Sequence, residues 1–377
     1  MLTKISDFWK NAQLYLFPIV EEQTGPIGAT HRKLTAILEL IQIEKFVQRD
    51  LQTIGRPPKD RVALARAFVA KVVFKFKYTS QLRDYLLSDK QLRIICGWES
   101  FRKIPSPSKF SRAFNEFAKS KLPERVHQEL IKTTYDDQIV GHLTIDSTPV
   151  EAREKEVKVA PSNMKKKAGK PGRPKKGEKR EKQFTRSQKQ ASGIFSLNEM
   201  IADLPTDCTI AMKKKPGLSN YVWKGYKLHL GVDDAGVPLV ALVTSASLND
   251  HEAAIPITLL ARQRFSFFYQ LMDSAYDVKA VLEYISSLGQ VPIVDKKSYN
   301  PAQKAEKIAE RKRRKILNWR PAEAIRYRER MKGERPNALI KEYYGANNIQ
   351  YKGHLKVSCH LMFGVLTLAA SLLLGPG

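Results

Sequence analysis

Two aspartates in this chain each follow a short apolar segment. Asp146 follows residues 143–145, and Asp273 follows residues 269–272. A buried carboxylate without a partner is costly, so each side chain needs a cation or a neutralising hydrogen-bond partner. Two strand ends that lie side by side can share a hard divalent cation. Carboxylates, rather than His or Cys, are typical of Mg²⁺ or Mn²⁺ sites, so the pattern predicts such a site.

A third carboxylate from a following helix would complete this set, and Glu334 is the candidate. Two metal ions about 4 Å apart stabilise both the attacking and the leaving oxygen of a phosphodiester displacement. The alternative is structural, because an aspartate at the end of a strand can cap the helix that follows. Asp273 precedes Ser274 and a helix predicted from about Asp277, so the spacing alone leaves both interpretations open.

The segment around Glu334 is not predicted to be one uninterrupted helix. Gly333 and Pro336 flank the glutamate, and a proline inside a helix removes a hydrogen bond and usually breaks or kinks the helix. We therefore expect that a new helix begins near Glu334. Glu329 and Glu323 remain alternative third carboxylates.

The elements that position these residues follow from the hydrophobic pattern. The predicted strands are residues 139–145, 226–232, 237–244, 267–272 and 291–294, and the predicted helices among them are 250–262 and 277–288. An Asp-Asp-Ala-Gly turn makes the second and third strands a hairpin. A meander followed by alternating strands and helices predicts an α/β fold with a mixed sheet and flanking helices, in the ribonuclease-H-like arrangement.

The N-terminal part has a different character. Residues 1–135 are predicted to be a helical region, with Asp60 as the N-cap of a helix over residues 61–76. Residues 136–377 are predicted to form the second domain. Short helices with basic exposed faces favour DNA binding by the N-terminal region. The alternative is a helical cap that only packs on the second domain.

The charge of the chain indicates its partner. Lys and Arg total 65 against 38 Asp and Glu, a formal net charge of +27, and such an excess favours binding to nucleic acid. Residues 155–189 alone carry 14 Lys or Arg against three Glu, a net charge of +11, so a flexible basic insertion is predicted at about 155–190. Its candidate DNA contacts are Lys165, Lys166, Lys167, Arg173, Lys175 and Lys176.

The remaining composition indicates the compartment. Three cysteines cannot form a disulfide framework, and the N-terminus lacks a signal-peptide pattern. The apolar stretch 357–374 is predicted to be a buried core helix rather than a membrane span. A cytoplasmic protein associated with the nucleoid, without a membrane partner, is expected.

Four segments of this sequence resemble the DDE transposases of bacterial insertion sequences, in the group with a Tyr-Arg-Glu-Lys signature. The segments are 142–154 (with Leu143-Thr144-Ile145-Asp146-Ser147), 226–250, 271–277 (Leu271-Met272-Asp273-Ser274-Ala275-Tyr276-Asp277) and 334–344, which is followed by 356–366. The family pattern Tyr-x2-Arg-x3-Glu-x6-Lys falls on Tyr327, Arg330, Glu334 and Lys341. The resemblance covers about residues 55–375.

The resemblance implies a catalytic, metal-binding triad of Asp146, Asp273 and Glu334, which holds Mg²⁺ or Mn²⁺, with two ions expected. It also implies that Tyr327, Arg330 and Lys341 contact the DNA near the cut. Such an enzyme binds the inverted terminal repeats of its element, cleaves double-stranded DNA at the element ends and joins the 3′-hydroxyl to target DNA. Two ends must be brought together, so at least a dimer is expected. The alternatives are a domesticated, non-catalytic DNA-binding protein and a stand-alone metal-dependent nuclease.

Overall fold

Six strands form one mixed sheet in the computed structural model, which describes residues 17–47, 60–157, 184–213, 220–296 and 300–375. The sheet order is β2-β3-β1-β5-β6, and β4 also pairs with β3. The strands are β1 (Ile139–Glu151), β2 (Thr209–Lys213), β3 (Tyr221–Val232), β4 (Pro238–Ser245), β5 (Ser266–Met272) and β6 (Val291–Val294). β1, β5 and β6 run parallel, whereas β3 is antiparallel to β1. The predicted mixed sheet of the ribonuclease-H-like arrangement is therefore confirmed.

The described part of the N-terminal region is helical, as predicted. Its helices are α1 (Phe17–Thr24), α2 (Ala29–Ile41), α3 (Arg61–Val73), α4 (Thr79–Ser88), α5 (Lys90–Cys96), α6 (Pro107–Lys119) and α7 (Leu122–Tyr135). Asp60 caps α3, because its side chain accepts hydrogen bonds from the backbone N–H groups of Val62 and Ala63 at 2.9 and 3.2 Å. This confirms the N-cap read from the sequence.

The second half adds eight helices in the described residues. They are α8 (Arg186–Ala191), α9 (Leu197–Ala202), α10 (His251–Arg262), α11 (Lys279–Ser287), α12 (Pro301–Ile316), α13 (Ala322–Tyr327), α14 (Glu334–Tyr343) and α15 (His354–Leu374). A 3₁₀-helix, Arg328–Gly333, joins α13 to α14. The predicted helices 250–262 and 277–288 correspond to α10 and α11.

Helices cover both faces of the sheet. α10 packs on one face, where Ile257 lies beside Gly231 of β3. On the other face, Ile340 of α14 and Leu361 of α15 belong to the same buried cluster as Leu230 of β3. The N-terminal helices α2, α3, α6 and α7 all pack against α15. The N-terminal region therefore shares its hydrophobic core with the sheet through α15, which is the packing that the alternative interpretation of this region described.

The apolar C-terminal stretch forms α15. This helix is long and apolar enough to span a membrane, but 78% of its most apolar 18-residue window is buried inside the protein. Gly364 lets the helix approach the preceding loop, because a Cβ there would lie 2.4 Å from the carbonyl oxygen of Tyr344. The prediction of a core helix over residues 357–374 is confirmed.

Two features differ from the sequence-based expectations. β1 continues six residues beyond Ile145 because it pairs with β3 as far as Glu151. β2 was not predicted, since it is a short and largely exposed strand whose pattern carries little signal.

At both ends of the predicted basic insertion, about 155–190, the described residues are packed. Residues 186–191 form α8, in which Gln190 is buried and its Nε2 donates to the carbonyl oxygen of Glu252 at 3.1 Å. The backbone N–H of Val157 donates to the carbonyl oxygen of Cys208 at 2.9 Å. The basic composition of this stretch predicted flexibility, but it does not show which of its residues pack against the rest of the protein. The six candidate DNA contacts of the insertion, Lys165, Lys166, Lys167, Arg173, Lys175 and Lys176, lie outside the described residues.

Candidate active site

The pairing of β1 with β5 brings Asp146 and Asp273 together. The parallel register ends with Ile145 opposite Met272. Asp273 directly follows β5, whereas Asp146 lies inside β1. Neighbouring strands lie about 4.8 Å apart, so the two carboxylates are close neighbours. Both line an open cleft of about 500 Å³. The fold therefore brings the two aspartates together, as predicted, but the prediction that Asp146 ends its strand is wrong, because β1 continues to Glu151 in its pairing with β3.

The carboxylate of Asp146 lies in an electrostatically costly position. Its pKa is raised from the usual 3.8 to about 6, chiefly by burial and in smaller part by the nearby Asp273. A backbone hydrogen bond from Ser147 and the charge of Arg330 act in the opposite direction. The amide Nδ2 of Asn337 donates to Oδ2 of Asp146 at 2.9 Å. The site therefore favours a cation next to this carboxylate.

Asp273 also caps the structure that follows it. Its Oδ1 accepts a hydrogen bond from the backbone N–H of Ala275 at 2.8 Å, at the start of a 3₁₀-helix, Ser274–Tyr276. No other side-chain hydrogen bond of Asp273 occurs within the described part of the chain. Capping uses one carboxylate oxygen, so it does not preclude a ligand role for the other. The two interpretations read from the sequence are thus compatible.

Glu334 lines the same cleft as the two aspartates but faces another partner. Its Oε1 lies 3.2 Å from the guanidinium of Arg330, and its side chain is 59% exposed. Glu329 forms an ion pair with Lys332 and does not line the cleft. Glu323, the other alternative, is exposed on α13 and does not line it either.

A new α-helix begins where the sequence predicted. α14 begins at Glu334, and Pro336 lies in its first turn, where a backbone N–H has no helical partner to lose. Gly333 is buried against β1, because a Cβ there would lie 2.6 Å from Cγ2 of Thr144. The glycine therefore lets the segment that carries Arg330 and Glu334 lie directly on the strand that carries Asp146.

Positive side chains surround the carboxylates. Arg330, Lys341 and Lys213 all line the cleft. Burial lowers the pKa of Lys341, and the neighbouring Lys213 lowers it further. Tyr327 does not line the cleft, although the guanidinium of Arg330 lies 5.7 Å from its ring centroid. The break before Glu334 separates Tyr327 from α14, as expected.

Comparisons with known proteins decide the family. The transposase DDE domain family matches residues 141–370, which is more than half of the chain. The chain belongs to the insertion-sequence DDE transposases. A second transposase domain family, DUF772, matches residues 21–116. Neither a curated protein nor a solved structure matches the chain. Membership of these families indicates a function in DNA transposition.

The matched DDE domain contains every cleft residue of the transposase described above. Even so, no group of three or more His, Cys, Asp or Glu side chains in the described residues is arranged to hold a metal ion. The third carboxylate of the predicted triad accounts for this, because Glu334 is turned to Arg330. Asp146 and Asp273 remain a fitting pair of oxygen ligands for a divalent cation.

Lys213 and Asn337 are among the cleft residues of the transposase that were not predicted from the sequence. Lys213 reaches the cleft on β2, a strand that the pattern did not reveal. Asn337 lies three residues after Glu334, and Lys341 lies four residues after Asn337. At about 100° per residue, these three positions share one face of α14. That spacing is the signal by which Asn337 could have been found.

Proposed function

We propose that this transposase binds the inverted terminal repeats of its element, cuts DNA there and joins the freed 3′-hydroxyl to target DNA by metal-dependent phosphodiester chemistry. The observation that carries the proposal is the position of Asp146 within β1 and of Asp273 directly after β5, side by side where the two strands pair and in one cleft with Glu334. The match to the transposase DDE domain supports the same chemistry.

Asp146 and Asp273 are proposed to hold the divalent metal, Mg²⁺ or Mn²⁺, with two ions as the proposed number. The raised pKa of Asp146 supports this assignment, because burial and the neighbouring carboxylate make its ionised form unfavourable without a cation. Glu334 is proposed as the third ligand, once its side chain turns from Arg330 to the aspartates. The bound metal would supply activation of the attacking hydroxyl and neutralisation of the phosphate charge.

The cationic side chains of the cleft are proposed to hold the DNA strand. The planar guanidinium of Arg330 suits a bidentate contact to a phosphate, whereas Lys341 and Lys213 act as point charges. A bound phosphate would compete with Glu334 for the guanidinium of Arg330. DNA binding would therefore free the carboxylate of Glu334. Tyr327, beside Arg330, is the remaining proposed contact from the signature.

DNA recognition is assigned to the helical N-terminal region and to the basic insertion. The formal net charge of +27 supports strong phosphate attraction. One cut is needed at each end of an element, so the active complex is proposed to contain at least two copies of the chain.

The decisive experiment uses a duplex with the inverted repeats found in the DNA that flanks the gene. The protein is incubated with Mn²⁺ and a supercoiled target plasmid, and products are resolved by size. Nicks at the repeat ends together with joined plasmid products support the proposal. Cleavage without joining would identify a nuclease, and metal-independent binding without any cleavage would identify a non-catalytic DNA-binding protein; both outcomes contradict the proposal.

A further inference from the structure

A second cavity, of about 290 Å³, lies between the N-terminal region and the catalytic half. One wall is the end of α3 with the turn that follows it, residues 71–77, and the other is the end of α14 with its loop, residues 341–348. Lys341 lines both this cavity and the catalytic cleft. The cavity therefore continues the surface on which the cleavage site lies.

Positive charge dominates the described residues that line the cavity. They include four lysines, Lys71, Lys75, Lys77 and Lys341, and a single carboxylate, Glu342. Phe76 and Tyr343 add aromatic surface. Such a lining suits an anion rather than an apolar or cationic ligand.

Lys71 is the most unusual of the four lysines. It is only 4% exposed, and its Nζ lies 3.5 Å from the hydroxyl of Tyr351 and 5.3 Å from the centroid of that ring. No carboxylate pairs with it in the part of the chain that the structure describes. A buried ammonium without a counter-ion is costly, so this arrangement favours an anion that enters from the cavity.

The neighbouring groups are consistent with an uncompensated positive charge. Burial lowers the pKa of Lys71 to about 8. Burial, followed by the charge of Lys71, lowers the pKa of His360 to about 3. This imidazole is therefore neutral, and its Nε2–H donates to the carbonyl oxygen of Gly345 at 3.0 Å. It adds no positive charge that would repel Lys71.

The backbone of the turn is held in an uncommon conformation. Lys75 has a φ of 57°, in the left-handed region that residues other than glycine rarely adopt. This conformation places its Nζ 4.2 Å from the ring centroid of Tyr343, across the cavity. This conformation ends α3, because the backbone N–H groups of Lys75 and Phe76 donate to the carbonyl oxygens of Val72 and Lys71 at 3.0 and 2.9 Å.

We propose that this cavity is a phosphate-binding site, in which Lys71, Lys75 and Lys77 hold a phosphate of the DNA strand that leaves the catalytic cleft past Lys341. Lysine is well suited to phosphate as a point charge. The shared Lys341 places the two sites on one path. The proposal of a phosphate site is based on the cavity and its lysines. The proposal that the phosphate belongs to DNA rests on the proposed function.

The first test measures thermal unfolding of the full chain, without metal or DNA, in inorganic phosphate against chloride at equal ionic strength. The variants are Lys71→Met, the double change Lys75→Gln with Lys77→Gln, and Lys119→Met as a control on an exposed face of α6. The Tm of wild type and of the control should rise with phosphate concentration and reach a plateau. Lys71→Met should lose this gain while its Tm without phosphate is no lower, since an unpaired buried charge is replaced by an apolar side chain.

The double variant keeps the test independent of any folding defect at Lys71, because both of its positions are exposed. Its apparent Kd for phosphate should rise about 10-fold or more, the loss expected from removing charge-assisted contacts. An equal Tm in phosphate and chloride for wild type, or an equal phosphate response in all variants, would overturn the site.

The second test identifies the source of the phosphate. Binding of a random-sequence duplex with a 5′-phosphate or a 5′-hydroxyl end is measured over a range of salt. The double variant should bind both duplexes with a smaller salt slope if the site takes a backbone phosphodiester, or lose affinity only for the phosphorylated duplex if it takes a terminal phosphate. Unchanged DNA affinity would overturn the DNA assignment. A protein that binds phosphate but never cleaves would contradict the proposed function and leave the site intact.

Discussion

The side-chain amide of Asn337 ties α14 to β1, because its Nδ2 donates to Oδ2 of Asp146 at 2.9 Å. Asn337 is only 8% exposed, and its Oδ1 is buried without a hydrogen-bond partner within the described residues. A buried carbonyl oxygen that lacks a partner is costly. The arrangement fixes one oxygen of Asp146 and leaves the amide oxygen of Asn337 unpaired.

Replacement of Asn337 should therefore weaken the response to metal. In Asn337→Ala, Asp146 loses its orienting donor, and we expect that the Mn²⁺ concentration for half-maximal cleavage rises about 10-fold, the equivalent of one hydrogen bond to a charged group. DNA binding in EDTA should be unchanged. Asn115→Ala on α6 is the matched control. An unaltered Mn²⁺ dependence in Asn337→Ala would show that this contact is only structural.

The third carboxylate can be assigned by two conservative changes. Glu334→Gln should abolish cleavage, because the amide cannot replace a charged metal ligand, while Glu329→Gln should keep most of the activity, because Glu329 pairs with Lys332 outside the cleft. Cleavage rates in Mn²⁺ on the same duplex measure both. Loss of activity in Glu329→Gln with retention in Glu334→Gln would move the site to the other side of the break at Gly333.

Asp146 should make the metal-free protein sensitive to pH. Its pKa in the folded state is about 6, against 3.8 for the usual value, so the folded state binds the proton more tightly. This stabilising contribution is complete below about pH 4 and is lost as the pH rises through 6. Asp146→Asn cannot ionise. Its free energy of unfolding relative to wild type should therefore rise between pH 4 and 8, by roughly 3 kcal/mol at most.

The same variant tests whether Asp146 is a metal ligand. In EDTA at pH 8, the Tm of Asp146→Asn should be no lower than that of wild type, since the new amide oxygen can still accept a hydrogen bond from Asn337. Saturating Mn²⁺ should stabilise wild type, by about 2.7 kcal/mol at 100 times Kd, and stabilise the variant less. Asp273→Asn should behave alike in metal response and should not cleave. A variant of either aspartate that still cuts DNA would end the metal-site interpretation.

The charge of the protein predicts a steep dependence of DNA binding on salt. If six or more phosphates are contacted, affinity should fall by about 10³ or more between 50 and 200 mM salt. Deletion of residues 158–183 should flatten the log–log slope of affinity against salt. The deletion must spare α8 and Val157, which pack against the folded part. A wild-type slope near zero, or a deletion that leaves a steep slope unchanged, would contradict this prediction.

The sequence alone determined the elements and the two aspartates. Short apolar and β-branched runs predicted β1, β5 and the hairpin of β3 and β4, because strands covered by helices on both faces are largely apolar. A costly charge directly after a short apolar segment marked Asp146 and Asp273, and Pro336 marked the start of α14. These features are local, so each can be read within a few residues.

The tertiary structure decided what depends on contacts between distant segments. The pairing of Glu334 with Arg330, the approach of Gly333 to Thr144 and the contact of Asn337 with Asp146 arise only when α14 lies on β1. The exposed strand β2, which brings Lys213 to the cleft, carries no strong pattern. The burial of Lys71 depends on the packing of the N-terminal helices against α15, since burial is set by neighbours that the local sequence does not specify.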